Sequence, residues 1–125
     1  MTPSIPLLHA HGCAMPQIGF GTSQLGDCGD LVATALKAGY RHIDTAWKYG
    51  SEKGVGAGIR ASGVPRADIF LVTKVSHEYL RADAFAKSVE ESLANLQVDY
   101  VDLLHVHWPS PEKVPLSETM AALAK

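Results

Sequence analysis

Short apolar runs alternate along this chain with longer stretches in which apolar residues recur at helical spacing. The short runs predict strands and the longer stretches predict helices. Residues 5–8 and 15–18 flank a turn at His11 and Gly12, so they are expected to form a β-hairpin. Further strands are predicted for residues 19–22, 40–46, 69–74 and 100–108.

Helices are predicted in the intervals that follow these four strands. The first is expected to be capped by Asp30 and to end at Gly39, and the third is expected to be capped by Asp83. The second covers residues 51–62 and the fourth covers residues 117–125. Three glycines within the second predicted helix indicate a close packing face, and they are Gly54, Gly56 and Gly58.

Strands that alternate with helices in units of about 30 residues predict parallel pairing and an α/β fold. Two architectures fit this pattern: an open doubly wound sheet and a closed (β/α)8 TIM barrel. A doubly wound dinucleotide domain would carry Gly-x-Gly-x-x-Gly after its first strand, but here Gly19 and Gly21 are followed by Gln24. The barrel is therefore favoured. Four βα units amount to about half of a barrel of roughly 250 residues.

The composition is that of one ordinary globular domain, with 46% hydrophobic residues, 19% charged residues and a net charge of −2. No stripe of Lys and Arg is present, so neither nucleic acid nor a membrane is expected as a partner. Residues 1–9 lack the basic start and apolar run of a signal peptide. Cys13 and Cys28 are too few for a disulfide framework, and we expect them to be reduced thiols of a cytoplasmic protein.

Polar side chains that can transfer or orient protons lie at or just after the ends of three consecutive predicted strands. In parallel α/β folds the carboxyl ends of the strands meet at one rim, where chemistry collects. Each side chain taken singly has a structural explanation, such as a turn cap or a solvated surface group. Together they predict a site, because buried parallel strands otherwise favour Val, Ile and Leu. The four residues are Asp44, Tyr49, Lys74 and His107.

The chemistry that this set allows is specific. The ammonium of Lys74 can stabilise the phenolate of Tyr49 and so make its hydroxyl a better proton donor. Asp44 can hold that ammonium in place, and His107 can hydrogen-bond a carbonyl oxygen. Such a set suits the protonation of an oxygen whose carbon receives a hydride.

A second interpretation involves a metal ion. His105 and His107 lie two residues apart on a predicted strand, so both are expected to point into the barrel. A His-x-His pair can ligate zinc, with Asp44 as a further ligand, which makes a metal-dependent hydrolase an alternative. That alternative leaves Tyr49 and Lys74 without roles, so a site with no metal is preferred.

Five separated runs resemble the aldo-keto reductase family, in the family's order and spacing. Their sequences are MPQIGFGT, AGYRHIDTA, SGVP, DYVDL and HWP, at residues 15–22, 38–46, 62–65, 99–103 and 107–109. The resemblance covers essentially the whole chain. The loop HWPSP at residues 107–111 is most similar to the bacterial 2,5-diketo-D-gluconate reductase B branch.

The resemblance implies NADPH-dependent reduction of an aldehyde or ketone to an alcohol, with a keto-sugar acid such as 2,5-diketo-gluconate or a small dicarbonyl as candidate substrates. It implies a catalytic tetrad in which Tyr49 donates the proton, and the other members are Asp44, Lys74 and His107. The NADPH would lie extended across the barrel mouth.

Further positions match the binding sites of the family. The resemblance places Gly21, Thr22 and Asp44 near the nicotinamide end of the cofactor. It gives substrate contacts to His107 and to two aromatic residues, Trp47 and Trp108. Ser23 and Ser76 stand where the family commonly has aromatic residues, and this difference leaves the substrate preference open.

The resemblance further implies that residues 1–125 are the N-terminal half of an NADP-dependent oxidoreductase domain. The second half would supply the aromatic residue that stacks on the nicotinamide and the basic residues that bind the 2′-phosphate. We expect the full-length protein to be a monomer. The isolated half is expected to be inactive and able to self-associate through its unpaired strand edges. A non-catalytic truncated scaffold is therefore a further alternative.

Overall fold

The computed structural model describes residues 4–125, in which six strands and four α-helices are formed. The strands are β1 Leu7–Ala10, β2 Cys13–Pro16, β3 Phe20–Gly21, β4 His42–Asp44, β5 Phe70–Val75 and β6 Leu103–Val106. The helices are α1 Gly29–Lys37, α2 Glu52–Ser62, α3 Ala82–Leu96 and α4 Leu116–Leu123. Residues 1–3, part of the segment considered for a signal peptide, lie outside this range. No helix within it is long and apolar enough to cross a membrane.

The predicted N-terminal hairpin is confirmed, with strands closer to the turn than expected. β1 and β2 pair antiparallel, from Leu7 opposite Pro16 to Ala10 opposite Cys13. The turn residues His11 and Gly12 both have positive φ, of 49° and 77°, as the favoured two-residue hairpin turn requires. The hairpin is attached to the sheet by a 3.0 Å hydrogen bond between the Pro16 carbonyl oxygen and Nδ1 of His42.

The remaining four strands form the predicted parallel sheet, in the order β3-β4-β5-β6. Sequential neighbours joined by helices are the arrangement of the first half of a (β/α)8 barrel. β3, β4 and β6 are shorter than predicted at both ends, whereas β5 has the predicted length and is shifted by one residue. The 100–108 segment has strand geometry only over β6, and the N–H groups of Asp102 and His107 on either side of it still donate to carbonyl oxygens of β5.

Two apolar clusters hold the helices against the sheet. The first joins α1 and α2 to the sheet, and its largest buried members include Leu36, Ile43 and Leu71. The second joins α3 to the end of β5 and to the segment before α4, through Val75, Phe85 and residues around them. Both clusters lie on the outer face of the sheet, which leaves the opposite face for the polar strand-end residues.

The predicted close packing of the glycine-rich face of α2 is confirmed at Gly56 and Gly58, whereas Gly54 has room for a Cβ. A Cβ at Gly56 would overlap the carbonyl oxygen of Leu96, the last residue of α3. A Cβ at Gly58 would lie 2.5 Å from the carbonyl oxygen of Gly29 in α1. These glycines therefore let α2 approach both neighbouring helices, and they do not form a phosphate-binding loop.

The two predicted helix caps are wrong. Cys28 occupies the N-cap of α1 and Arg81 that of α3, and neither side chain makes a capping hydrogen bond. Asp30 and Asp83 lie instead within the first turn, where a carboxylate stabilises the positive end of the helix dipole. The error has a physical reason: an acidic residue is favoured both at the cap and in the first turn, so its position alone does not fix the boundary.

Candidate active site

Three successive strands bring the polar strand-end residues to one rim of the sheet. Asp44 is the last residue of β4, and it lies opposite Val72 of β5. Lys74 lies two residues further along β5, and His107 directly follows β6, where its N–H donates to the carbonyl oxygen of Val75. The parallel register therefore places all three at the carboxyl ends of their strands.

Lys74 and Asp44 form an ion pair that has two hydrogen bonds. Nζ of Lys74 lies 2.9 Å from Oδ1 and 2.8 Å from Oδ2 of Asp44. The ammonium donates a third bond of 2.8 Å to the carbonyl oxygen of Thr45. The lysine side chain is only 12% exposed and that of Asp44 is 34% exposed. All three ammonium protons thus have acceptors, so the charge is held in a defined position.

Tyr49 lies beside this ion pair in a short 3-10 turn, Trp47–Tyr49, that follows β4. Gly50 ends the turn with a φ of 70°, a left-handed conformation that favours glycine. The Nζ atom of Lys74 lies 5.2 Å from the centre of the Tyr49 ring. The ring also meets the imidazole of His107 edge-on, with 5.6 Å between their centres. The structure therefore brings together all four residues that the sequence singled out.

The imidazole of His107 is partly buried. Burial lowers its pKa, the ammonium of Lys74 lowers it further, and the carboxylate of Asp44 opposes these effects. A neutral imidazole presents one N–H donor and one acceptor nitrogen. Within residues 4–125, Nδ1 of His107 is buried and has no hydrogen-bond partner. The Nδ1 atom of the ring is therefore left without a hydrogen bond to the described part of the chain.

Aromatic side chains border the tetrad. Trp108 stacks on His107, with ring centres 4.1 Å apart, and half of Trp108 is exposed. Trp47 meets Tyr79 edge-on at 4.9 Å. His77 lies 5.8 Å from Trp108. Both tryptophans predicted to contact the substrate are thus at this rim, where they offer apolar surface next to the polar groups.

The residues expected near the nicotinamide have different environments. Gly21 is exposed, lies opposite Asp44 in the register, and has no neighbouring atom within 4 Å of an added Cβ. This open backbone fits a flat ring placed beside Asp44. Thr22 is fully buried, and its hydroxyl donates to the carbonyl oxygen of Asp44 at 3.0 Å. Thr22 thus anchors the backbone of Asp44, and its place near the cofactor stays a prediction.

The proposed metal pair receives no support from the geometry. His105 is exposed and lies beside Lys74, opposite it in the β5–β6 register. Across the described part of the chain, no group of three His, Cys, Asp or Glu side chains is placed to hold a metal ion. Asp44, the suggested third ligand, is bonded to the ammonium of Lys74.

Some residues around the site were missed by sequence analysis. Tyr79 had a usable signal, since it is an aromatic residue in the loop that follows a strand end. Thr45 contributes only a backbone oxygen to Lys74, which no side-chain pattern can reveal. Glu52 is 2% exposed although it lies in the first turn of a helix, where acidic residues are ordinarily solvated.

Comparisons with known proteins identify one family. The Aldo/keto reductase family model matches residues 17–125. The methylglyoxal reductase DkgB of Escherichia coli O157:H7 is 47% identical over 115 residues, which cover 88% of this chain and 42% of that protein. The chain spans less than half the length of this and the other curated relatives that were compared.

Solved structures share the fold as well. A crystal structure of a putative 2,5-diketo-D-gluconic acid reductase B superposes with a TM-score of 0.89 at 45% identity, covering 95% of this chain and 43% of that one. The Bombyx mori aldo-keto reductase, solved in complex with NADP, superposes with a TM-score of 0.89 at 30% identity, covering 98% of this chain and 46% of that one. Sequence, fold and relatives agree, and the chain belongs to the aldo/keto reductase family.

Proposed function

We propose that this chain supplies the catalytic tetrad of an NADPH-dependent reductase that converts an aldehyde or ketone to an alcohol. The observation that carries the proposal is the position of Lys74. Its ammonium is bonded to both oxygens of Asp44 and lies 5.2 Å from the centre of the Tyr49 ring. An ammonium fixed beside the ring can stabilise negative charge that develops on the phenol oxygen during proton transfer.

In this mechanism Tyr49 donates its hydroxyl proton to the carbonyl oxygen of the substrate. NADPH, when bound, supplies the hydride to the carbonyl carbon. Lys74 stabilises the phenolate that remains, and Asp44 keeps the ammonium in position. His107 donates its N–H to the same carbonyl oxygen and so orients the substrate. Solvent returns the proton to Tyr49 for the next turnover.

The cofactor and the substrate class are proposed from the relatives and from the site. NADP is bound by the silkworm reductase of the same fold, and the exposed backbone at Gly21 beside Asp44 suits a nicotinamide ring. Trp47 and Trp108 would form an apolar wall for the substrate. The relatives' names point to small carbonyl compounds, and methylglyoxal and 2,5-diketo-D-gluconate are the first substrates to test.

The test requires a complete barrel, because this chain spans less than half the length of its relatives. We define the hybrid barrel as this chain followed by the C-terminal half of the Escherichia coli DkgB protein. Methylglyoxal reduction is measured as oxidation of NADPH. We expect turnover by the hybrid barrel, and we expect Tyr49→Phe to lower kcat by about 10²- to 10⁴-fold, the usual contribution of general acid catalysis.

Tyr100→Phe is the matched control, because Tyr100 is exposed and packs on Arg66 away from the site. It should leave kcat unchanged. NADPH binding, followed by fluorescence, should survive both substitutions. A folded hybrid barrel that binds NADPH and turns over equally well with Phe at position 49 would refute the role given to Tyr49.

The 125-residue chain by itself is proposed to be inactive, as a half-barrel that self-associates through its strand edges. Within the described residues, β3 and β6 are the outer strands of the sheet, and each is paired on one side only. Gel filtration of the isolated chain should show species larger than a monomer, with no NADPH oxidation. Normal turnover by a monomer of this chain would refute the proposal.

The cytoplasm is the proposed location. Cys13 is exposed and Cys28 is buried, and both thiols are free. A reducing compartment maintains thiols in that state. Retention of both thiols in protein isolated under non-reducing conditions, measured with a thiol-alkylating reagent, would support the assignment, and a disulfide would contradict it.

A further inference from the structure

Glu52 is the most buried carboxylate among the described residues, and the proposed mechanism does not use it. It lies in the first turn of α2 and is 2% exposed. Burial of a carboxylate is costly unless hydrogen bonds compensate for the loss of water. The hydrogen-bond partners of Glu52 therefore show which elements it connects.

Three neutral donors satisfy this carboxylate. The Thr73 hydroxyl donates to Oε2 at 2.8 Å, and the Ser92 hydroxyl donates to Oε1 at 3.2 Å. The Asn95 amide donates to Oε1 at 3.4 Å. One partner belongs to β5 and two belong to α3, so a single side chain of α2 joins three elements. The positive end of the α2 dipole further favours an anion in the first turn.

The position of Thr73 connects this cluster to the active site. Thr73 directly precedes Lys74 on β5, and side chains of successive strand residues point to opposite faces. Lys74 faces the site and Thr73 faces the helices. On the other element, Glu52 follows Tyr49 by three residues, across the turn that Gly50 ends. The Glu52–Thr73 hydrogen bond therefore joins the segment that carries the phenol to the strand that carries the ammonium.

We propose that Glu52 is a positioning residue that fixes the Tyr49 turn relative to Lys74. The inference rests on the proposed function, since it concerns the placement of the proton donor. The turn Trp47–Tyr49 also has its own short-range backbone bonds, from Tyr49 N–H to the Ala46 oxygen and from Gly50 N–H to the Trp47 oxygen. Its N-terminal side is attached to β5, because the Thr45 N–H donates to the Val72 oxygen and Lys74 donates to the Thr45 oxygen. Lys48 and Trp47 contact Glu78 and Tyr79, in the segment that follows β5. The Glu52–Thr73 hydrogen bond supplies the attachment to β5 on the C-terminal side of the turn.

The first test compares two substitutions in the hybrid barrel, with methylglyoxal and NADPH as substrates. Glu52→Ala removes all three acceptor contacts and should lower kcat by roughly 10- to 100-fold, the cost of a misplacement of about 1 Å, with little change in KM. Glu52→Gln keeps one acceptor oxygen for Ser92 and Asn95, and its amide can donate to the Thr73 hydroxyl. The glutamine variant should therefore retain most of the activity.

Two controls separate positioning from general stability. Lys53→Ala removes an exposed side chain from the same helical turn and should leave kcat unchanged. Ile59→Ala opens a cavity at the far end of α2 and should lower the melting temperature without lowering kcat. If Ile59→Ala reduces kcat as much as Glu52→Ala does, the effect is one of stability and the inference is overturned.

The second test needs no activity and uses the hybrid barrel. Hydrogen exchange of the Tyr49 and Gly50 amides should become faster in Glu52→Ala and in Thr73→Val, while the amides at the far end of α2 stay protected. Thr73→Val removes the same hydrogen bond from the other side with almost no change in shape. Unchanged exchange at Tyr49 in both variants would overturn the inference.

The two proposals can fail separately. If the unmodified hybrid barrel folds but does not reduce methylglyoxal, the proposed function fails, while hydrogen exchange still measures whether Glu52 holds the turn. If the hybrid barrel is active and Glu52→Ala has the kcat of Lys53→Ala, the positioning role is refuted and the proposed function stands.

Discussion

Lys74 donates to both carboxylate oxygens of Asp44, across the interval between two adjacent parallel strands. The two residues are 30 positions apart in the sequence. Because the ammonium is largely buried, its charge has lost most of its contact with water. The carboxylate of Asp44 and the carbonyl oxygen of Thr45 compensate for this loss.

Asp44→Asn should therefore destabilise the chain. The amide keeps only one acceptor oxygen and no charge, so the buried ammonium loses much of its compensation. We expect the free energy of unfolding, measured with urea, to fall by about 1–2 kcal/mol, since the pair is not fully buried. In the hybrid barrel, the same substitution should also lower kcat.

Glu78→Gln is the matched control for Asp44→Asn. Glu78 pairs with Lys48 on the exposed surface, where water screens the interaction. The control should change the free energy of unfolding little. Equal effects of the two substitutions would show that Lys74 does not depend on Asp44.

The close packing of α2 against α3 predicts that Gly56 cannot be replaced without a loss of stability. Gly56→Ala would force a methyl group against the carbonyl oxygen of Leu96, and backbone atoms cannot move aside easily. The strain should exceed the gain in helix propensity, so we expect a net loss of about 2 kcal/mol or more in the free energy of unfolding.

Gly54→Ala, in the same helix, should have the opposite effect. The nearest heavy atom to a Cβ at this position is a carboxylate oxygen of Asp27 at 3.4 Å, an ordinary contact. The substitution should be neutral or stabilising by up to ~1 kcal/mol, because alanine is the better helix former. Similar melting temperatures for the two alanine variants would contradict the packing described here.

The environment of His107 predicts a pH dependence of stability. Its pKa is lowered in the fold, first by burial and then by Lys74. The unfolded chain therefore binds the proton more readily than the folded chain does. The contribution of neutral His107 to the free energy of unfolding should be fully present above the ordinary histidine pKa of about 6.5. It should decrease as the pH falls below that value.

This dependence can be measured as the melting temperature between about pH 5 and pH 8, where histidine titrates. His107→Gln removes the titrating group, so the difference in melting temperature between the chain and this variant should change with pH in the acidic part of the range. His9→Gln, at an exposed position of β1, serves as the control. A difference that is constant across the range would contradict the prediction.

The sequence predicts those residues of the candidate site that lie at the ends of strands. Asp44, Lys74 and His107 each terminate or follow an apolar run, and parallel strands bring their carboxyl ends to one rim. Tyr49 follows Asp44 by five residues, and its role as proton donor came from the chemistry of the set and agrees with the family resemblance. The α/β class followed from the periodicity, the barrel from the missing Gly-x-Gly-x-x-Gly motif, and the close packing of α2 from its glycines.

Other features depended on contacts between distant segments. The hydroxyl of Thr22 donates to the carbonyl oxygen of Asp44, 22 residues away. Leu31 lies one helical turn before the buried Ala35 in α1, yet Leu31 is 48% exposed, while Val32 and Ala33 are buried. The rotation of a helix about its axis is decided by the surface against which it packs, and that surface comes from other elements.

The sequence by itself determined the α/β class, the succession of elements and the four polar residues of the rim, because periodicity and strand ends are local properties of the chain. Only the tertiary structure decided which polar groups are buried and paired. Glu52 is the clearest case, since its three donors lie 21, 40 and 43 residues away. A buried carboxylate and a solvated one have the same local sequence pattern, and only packing between distant segments distinguishes them.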